Sequence, residues 1–208
     1  MTLSLLAIIP AVDDVLFNFA QSDGFWANLE TAFGTSYDVV KATQLRQQWQ
    51  SRNFGQIPPI EVLSDEILGT ANGAYSSSTN KIYLSASFLN TASSATIINV
   101  ILEEIGHYVD AQINQVDSAG DEGAIFAELV SGESLSSQQL QVLKLENDTA
   151  IVEIDGQQIQ IEQMATNNLH FNITINDPLN TYSTYYAAIE SSIQASGSFW
   201  DNYTLDVH

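Results

Sequence analysis

The stretch from Ile97 to Ile113 constrains this chain more than any other. Its apolar residues Ile97, Ile98, Ile101, Ile105, Tyr108 and Val109 recur at three- and four-residue steps, which predicts a helix with one buried face. Ser93 or Ser94 is the expected N-cap. Among the apolar positions lie Glu103, Glu104, His107 and Asp110, so a helix that must bury one side carries carboxylates and an imidazole at the edge of that side. Residues four apart share a helix face, and Glu103 and His107 can therefore grip one ion. Any fold for this chain must cover the helix and still satisfy its charges.

The segments on either side supply the cover. An apolar run, Leu3 to Val12, precedes a helical region opening at Asp13 to Asn18, and Phe17, Phe19, Phe25, Trp26, Leu29 and Phe33 form an aromatic stripe broken near Ser22-Asp23-Gly24. Core packing is the expected role of that stripe. A second helix is predicted over about Tyr37 to Arg52, with Val39, Val40, Leu45 and Trp49 apolar and with Lys41, Arg46 and Arg52 on a solvated face. Pro58-Pro59 ends it and favours extended geometry, so Ile60 to Leu63 is expected as a strand. Gly73-Ala74-Tyr75, a polar turn at Ser76 to Asn80 and Lys81-Ile82-Tyr83-Leu84 make a hairpin, whose second strand is expected at the sheet edge.

Downstream of the central helix, another is predicted from Asp121-Glu122, turning Ile125, Phe126, Leu129 and Val130 inward, followed by a short helix over Ser136 to Leu145. Thr149 to Ile154 and Gln157 to Gln163 flank Asp155-Gly156, a pair that favours a type I′ hairpin turn. These elements imply an α+β domain over residues 1–165. Residues 166–208 read as strand, helix, strand, a unit that either completes the sheet or opens a second domain.

Charge and composition narrow the chemistry. Five Lys and Arg against twenty-five Asp and Glu give a net charge of −20, a field that repels nucleic acid and attracts cations. With no Cys there is neither a disulfide nor a thiolate site, so a metal must be held by His, carboxylates, carbonyls or water. Leu3 to Val12 is too short for a membrane span and lacks the basic flank of a secretory signal.

Three protein ligands are the usual complement of a catalytic zinc. Glu103 and His107 are two; Glu122 on the next helix is the leading third, with Asp121 and Glu128 behind it and Asp110 one turn beyond His107. Two carboxylates and one imidazole can hold Zn2+, and the extra negative charge makes Mn2+ or Ca2+ more competitive. The plainer alternative is a pair of solvated glutamates beside a satisfied core histidine.

The same residues carry a resemblance. A zinc-protease helix has H-E-x-x-H, two ligands four apart with a general-base Glu beside the first. Leu102 to Gln112 matches it with Glu103 in place of the first His. Together with Gly120-Asp121-Glu122-Gly123, Gly73-Ala74-Tyr75 and Lys81 to Ser85, this run resembles an N-terminal domain of large secreted cyanobacterial proteins that often carry calcium-binding repeats, itself similar to the zincin metallopeptidases. The resemblance covers roughly residues 15–165. It implies a zincin-like domain with Glu104 as catalytic base, Glu103, His107 and Glu122 around a metal, and an extracellular location. It further implies either a peptide or protein substrate, or a silent propeptide or accessory role toward a downstream domain of the same polypeptide.

Overall fold

The computed structural model describes residues 3–163, within the first of two units into which the chain divides, Met1–Ala165. The strand-helix-strand expected over 166–208 lies outside the described residues. The described unit is α+β, with eight helices and a five-stranded mixed sheet.

Helix α1, Leu3–Gln21, absorbs the N-terminal apolar run: Leu5, Ile8, Val12, Leu16 and Phe19 are buried at steps of three and four, and exposed Pro10 lies off that stripe. Among the described residues no single helix is long and apolar enough to cross a membrane. After the break at Ser22-Asp23-Gly24 comes α2, Phe25–Phe33, and then α3, Val39–Gln50, capped by Asp38, which accepts from the backbone N–H groups of Val40 and Lys41. The stripe is core as expected: Phe126 stacks against Phe19, Phe33 and Trp49. In α3 the buried residues are Ala42, Leu45 and Trp49, while Val39 and Val40 are exposed on the first turn. Nor is the basic face simply solvated. Arg46 donates to the carbonyls of Ala20 and Ser22 and lies over the rings of Phe25 and Trp26, closing the C-terminus of α1.

The sheet follows: β1 Ile60–Leu63, helix α4 Asp65–Leu68, β2 Gly73–Ser76, β3 Lys81–Ser85, then α5 Ala86–Thr91. After the helices α6 Ser94–Ile113, α7 Glu122–Val130 and α8 Ser137–Leu143 come β4 Thr149–Ile154 and β5 Gln157–Gln163. Strand order is β1-β3-β2-β5-β4, with only β1 and β3 parallel. The expectation of an edge strand at Lys81 to Leu84 is therefore corrected. β3 is paired on both sides, because the strand started by Pro58-Pro59 returns alongside it, with Ile60 opposite Ile82. The β4–β5 turn places Asp155 and Gly156 at φ 51° and 76°, both on the positive side that a type I′ turn requires.

Two apolar clusters sandwich the sheet. Tyr75, Ile82 and Leu84 face the helices, whereas Ala74 and Tyr83 face away and pack with Leu63, Leu68, Ile154, Ile159 and Ile161. Tyr83 is thus buried, and its hydroxyl meets that of Thr79 at 2.9 Å. Helix α6 lies across the helix-side face, and every residue from Val100 to Asp110 is buried.

Candidate metal centre

Helix geometry divides the polar residues of α6 between two neighbours. Val100, Glu104 and Tyr108 share a face turned to the sheet: Tyr75 of β2 stacks edge-on against Tyr108 at 6.1 Å, and Gly73 has no room for a Cβ, which would come within 2.5 Å of both Glu104 Oε1 and Val100 Cγ1. Glu103 and His107 share the face turned to α7. There the helices approach so closely that a Cβ on Gly123 would lie 2.5 Å from His107 Nε2 and 2.8 Å from the Glu103 carbonyl.

Helix α7 begins at this point because Asp121 caps it, accepting from the Ala124 N–H at 2.7 Å. The same Asp121 Oδ1 lies 3.9 Å from His107 Nε2. One residue later the chain has turned, and Glu122 Oε1 sits 2.8 Å from the other ring nitrogen, Nδ1. Glu103, His107 and Asp121 bring one ligand atom each to within 4.8 Å of one another, as do His107, Glu122 and Asp148. The structure thus groups Asp121 with Glu103 and His107, while Glu122 stands behind the imidazole, where a carboxylate fixes the Nδ1–H tautomer and leaves Nε2 as the metal donor.

Two further carboxylates come from the β4–β5 hairpin. Glu162 pairs with Tyr75 across β5 and β2, so both point to the helix side, and Glu162 Oε2 reaches 3.4 Å from Nδ1. Asp148, just before β4, reaches 3.7 Å. Neither residue was singled out from the sequence. Of the remaining candidates, Asp110 is occupied in fixing the α6–α7 loop, accepting from Asn114 Nδ2, Ser118 N and Ser118 Oγ, and half-buried Glu128 has Glu133 as its charged neighbour.

Glu103, Glu104 and His107 are 1%, 0% and 0% exposed. Among the described residues eight buried side-chain atoms have no hydrogen-bonding partner, and all but Ser22 Oγ belong to this cluster: both oxygens of Glu103 and of Glu104, His107 Nε2, Asp148 Oδ2 and Glu162 Oε2. Orphaned buried polar atoms are costly, and concentrating seven in one place demands a reason. Burial raises the pKa of Glu103 and Glu104 well above the carboxylate range; Asp121 and Glu104 add to it for Glu103, and Asp121 and Glu162 for Glu104. Burial likewise raises Asp148 to about 7 and Glu162 to about 8, against the lowering influence of His107. His107 is the reverse: burial opposes its charge, but the hydrogen bond and charge of Glu122, with Glu104 and Asp121, hold its pKa well above the ordinary value. The largest charge effects on Glu103, Glu104 and His107 come from one another and from neighbouring carboxylates, and the ion pairs of Arg52 and Lys81 are made elsewhere, to Asp14 and Glu61. A divalent cation fits such a donor set of one imidazole and several carboxylates.

No family model, curated protein or solved structure matches the chain.

Proposed function

We propose that the described unit is a metal-binding domain of metallopeptidase type. Glu103, Asp121 and His107, through Nε2, hold one divalent cation, Zn2+ first and Mn2+ or Ca2+ as alternatives, and Glu104 is the proton-transferring carboxylate. The observation that carries this is the fully buried, unpartnered Nε2 of His107, facing Asp121 and one helical turn from the unpartnered Glu103 carboxylate. A cation bound there would supply Lewis-acid polarisation of a peptide carbonyl and activation of water. Glu122 keeps the proton of His107 on Nδ1. Burial raises the pKa of Glu104 well above the carboxylate range, the direction that suits a residue taking up and passing on a proton as a general acid–base.

A catalytically silent propeptide or accessory module, serving a downstream domain of the same polypeptide, is favoured by a different observation. Glu104 is 0% exposed, pressed against Gly73, and the next strand over from β2 is β5 of the hairpin.

Metal analysis and one variant separate these. Purified protein dialysed against Zn2+ should retain about one tight equivalent, and less than about 0.2 equivalents with no gain in melting temperature on adding Zn2+, Mn2+ or Ca2+ ends the metal reading. In metal-loaded protein, Glu104→Gln should abolish hydrolysis of an unfolded protein substrate while leaving metal content intact. Metal-loaded wild type with no hydrolysis assigns the silent role.

A further inference from the structure

We propose a second cation site on the opposite side of the His107 imidazole, formed by Glu122 of α7 with Asp148 and Glu162 of the β4–β5 hairpin, which takes a hard divalent cation of the Ca2+ or Mn2+ class and staples the hairpin to α7. It goes beyond the peptidase reading and does not need it.

Three carboxylates from three places in the chain converge on one N–H. Glu122, Glu162 and Asp148 lie 2.8, 3.4 and 3.7 Å from His107 Nδ1. A single Nδ1 proton satisfies one of them, and Glu122 at hydrogen-bonding distance takes it. The other two lie within ion-pair distance of the ring but make no hydrogen bond: Asp148 Oδ2 and Glu162 Oε2 are buried without a hydrogen-bonding partner, and the Asp148 side chain is only 8% exposed while aimed at the ring. Asp148 and Glu122 bring ligand oxygens within 4.8 Å of each other, close enough for one ion to bridge.

The donors are all carboxylate oxygens, which select hard cations over zinc. A carboxylate has two oxygens, so Glu122 can accept from Nδ1–H with one and meet a cation with the other. The position matters for the fold as well. β5 is paired to β2 at two positions, Ala74 with Gln163 and Tyr75 with Glu162, against six between β4 and β5, so the hairpin is well formed in itself and lightly laddered to the sheet. An ion shared by Glu122, Asp148 and Glu162 ties the open end of that hairpin, where Thr149 lies opposite Glu162, to the helix layer.

The test uses the full chain stripped of metal by a chelator, with Ca2+ alone and Mn2+ alone as probes, calorimetry for stoichiometry and amide hydrogen exchange as the structural readout. Wild type should bind Ca2+ or Mn2+ with exchange across residues 149–163 slowed at least about tenfold. Asp148→Asn should lose that binding and that protection, while still taking up zinc through Glu103, His107 and Asp121. Glu162→Gln, an independent near-isosteric change, should do the same, so that misfolding of one variant does not decide the matter. Asp121→Asn should keep the hairpin protection and lose zinc. If Asp148→Asn and Glu162→Gln bind Ca2+ and Mn2+ as wild type does, or wild type gains no hairpin protection from either ion, the second site is wrong. If the protection is present but wild type takes up no zinc and Asp121→Asn changes the uptake of neither Ca2+ nor Mn2+, the second site stands and the metallopeptidase reading falls.

Discussion

At the scale of single residues, the centre turns on what one step along a helix start does. Asp121 and Glu122 are neighbours in sequence, yet they address opposite nitrogens of the same imidazole, because consecutive residues of a helix point about 100° apart. A sequence pattern places a carboxylate in the first turn of α7 but cannot decide between the two, since helix boundaries are uncertain by more than one residue. The assignment predicts unequal variants. Asp121→Asn removes a ligand and should abolish tight zinc binding, whereas Glu122→Gln still accepts from Nδ1–H and should weaken zinc by about 10–100-fold, as the loss of an orienting carboxylate does. Competition with a chromophoric chelator measures both, and equal losses would put Glu122 back among the ligands. Gly123 completes this corner, since any side chain there meets His107 and the Glu103 carbonyl.

Among elements, the legible features were those with local causes: the α6 periodicity and its Ser93 cap, the Asp155-Gly156 turn and the strand begun after Pro58-Pro59. What could not be read depends on non-local pairing. Strand β3 became interior because β1 comes back beside it, and Glu162 reaches His107 only because β5 joins β2 in the register that sets Glu162 against Tyr75. Within Gln157 to Gln163 nothing distinguishes Glu162 from a solvated strand residue. Likewise the three cations near α3 read as a charged face, yet they do different work. Arg46 is half-buried, with two bonds to α1–α2 carbonyls and two aromatic faces, whereas Lys41 makes one exposed bond to the Gln112 carbonyl. Arg46→Ala should therefore cost about 2–3 kcal/mol in urea unfolding and Lys41→Ala no more than about 0.5 kcal/mol. Similar losses for the two would mean that the α1–α3 contact is carried by its apolar residues alone.

For the whole molecule, the question is how a chain of net charge −20 tolerates a buried nest of carboxylates around one histidine. Without a cation it does so by keeping protons. A carboxylate whose pKa is raised in the folded state favours folding at low pH, and that advantage is lost as pH climbs from the unfolded value toward the folded one. For Asp148 that window runs from 3.8 to about 7, and for Glu162 from 4.5 to about 8. Raised His107 acts in the same direction, contributing stability below its ordinary value of 6.5 that is lost as pH passes its folded value. The metal-free protein should therefore melt at least about 5 °C lower at pH 8 than at pH 5, given about 2–4 °C per kcal/mol for a domain of this size. A bound cation inverts the dependence, because it must displace those same protons and binds more tightly as they leave. Melting in excess chelator and in saturating Zn2+ with Ca2+ should thus give curves that diverge as pH rises from 5 to 8. Parallel curves would mean that the nest is stabilised by protons alone and that the centre is a core histidine among protonated acids.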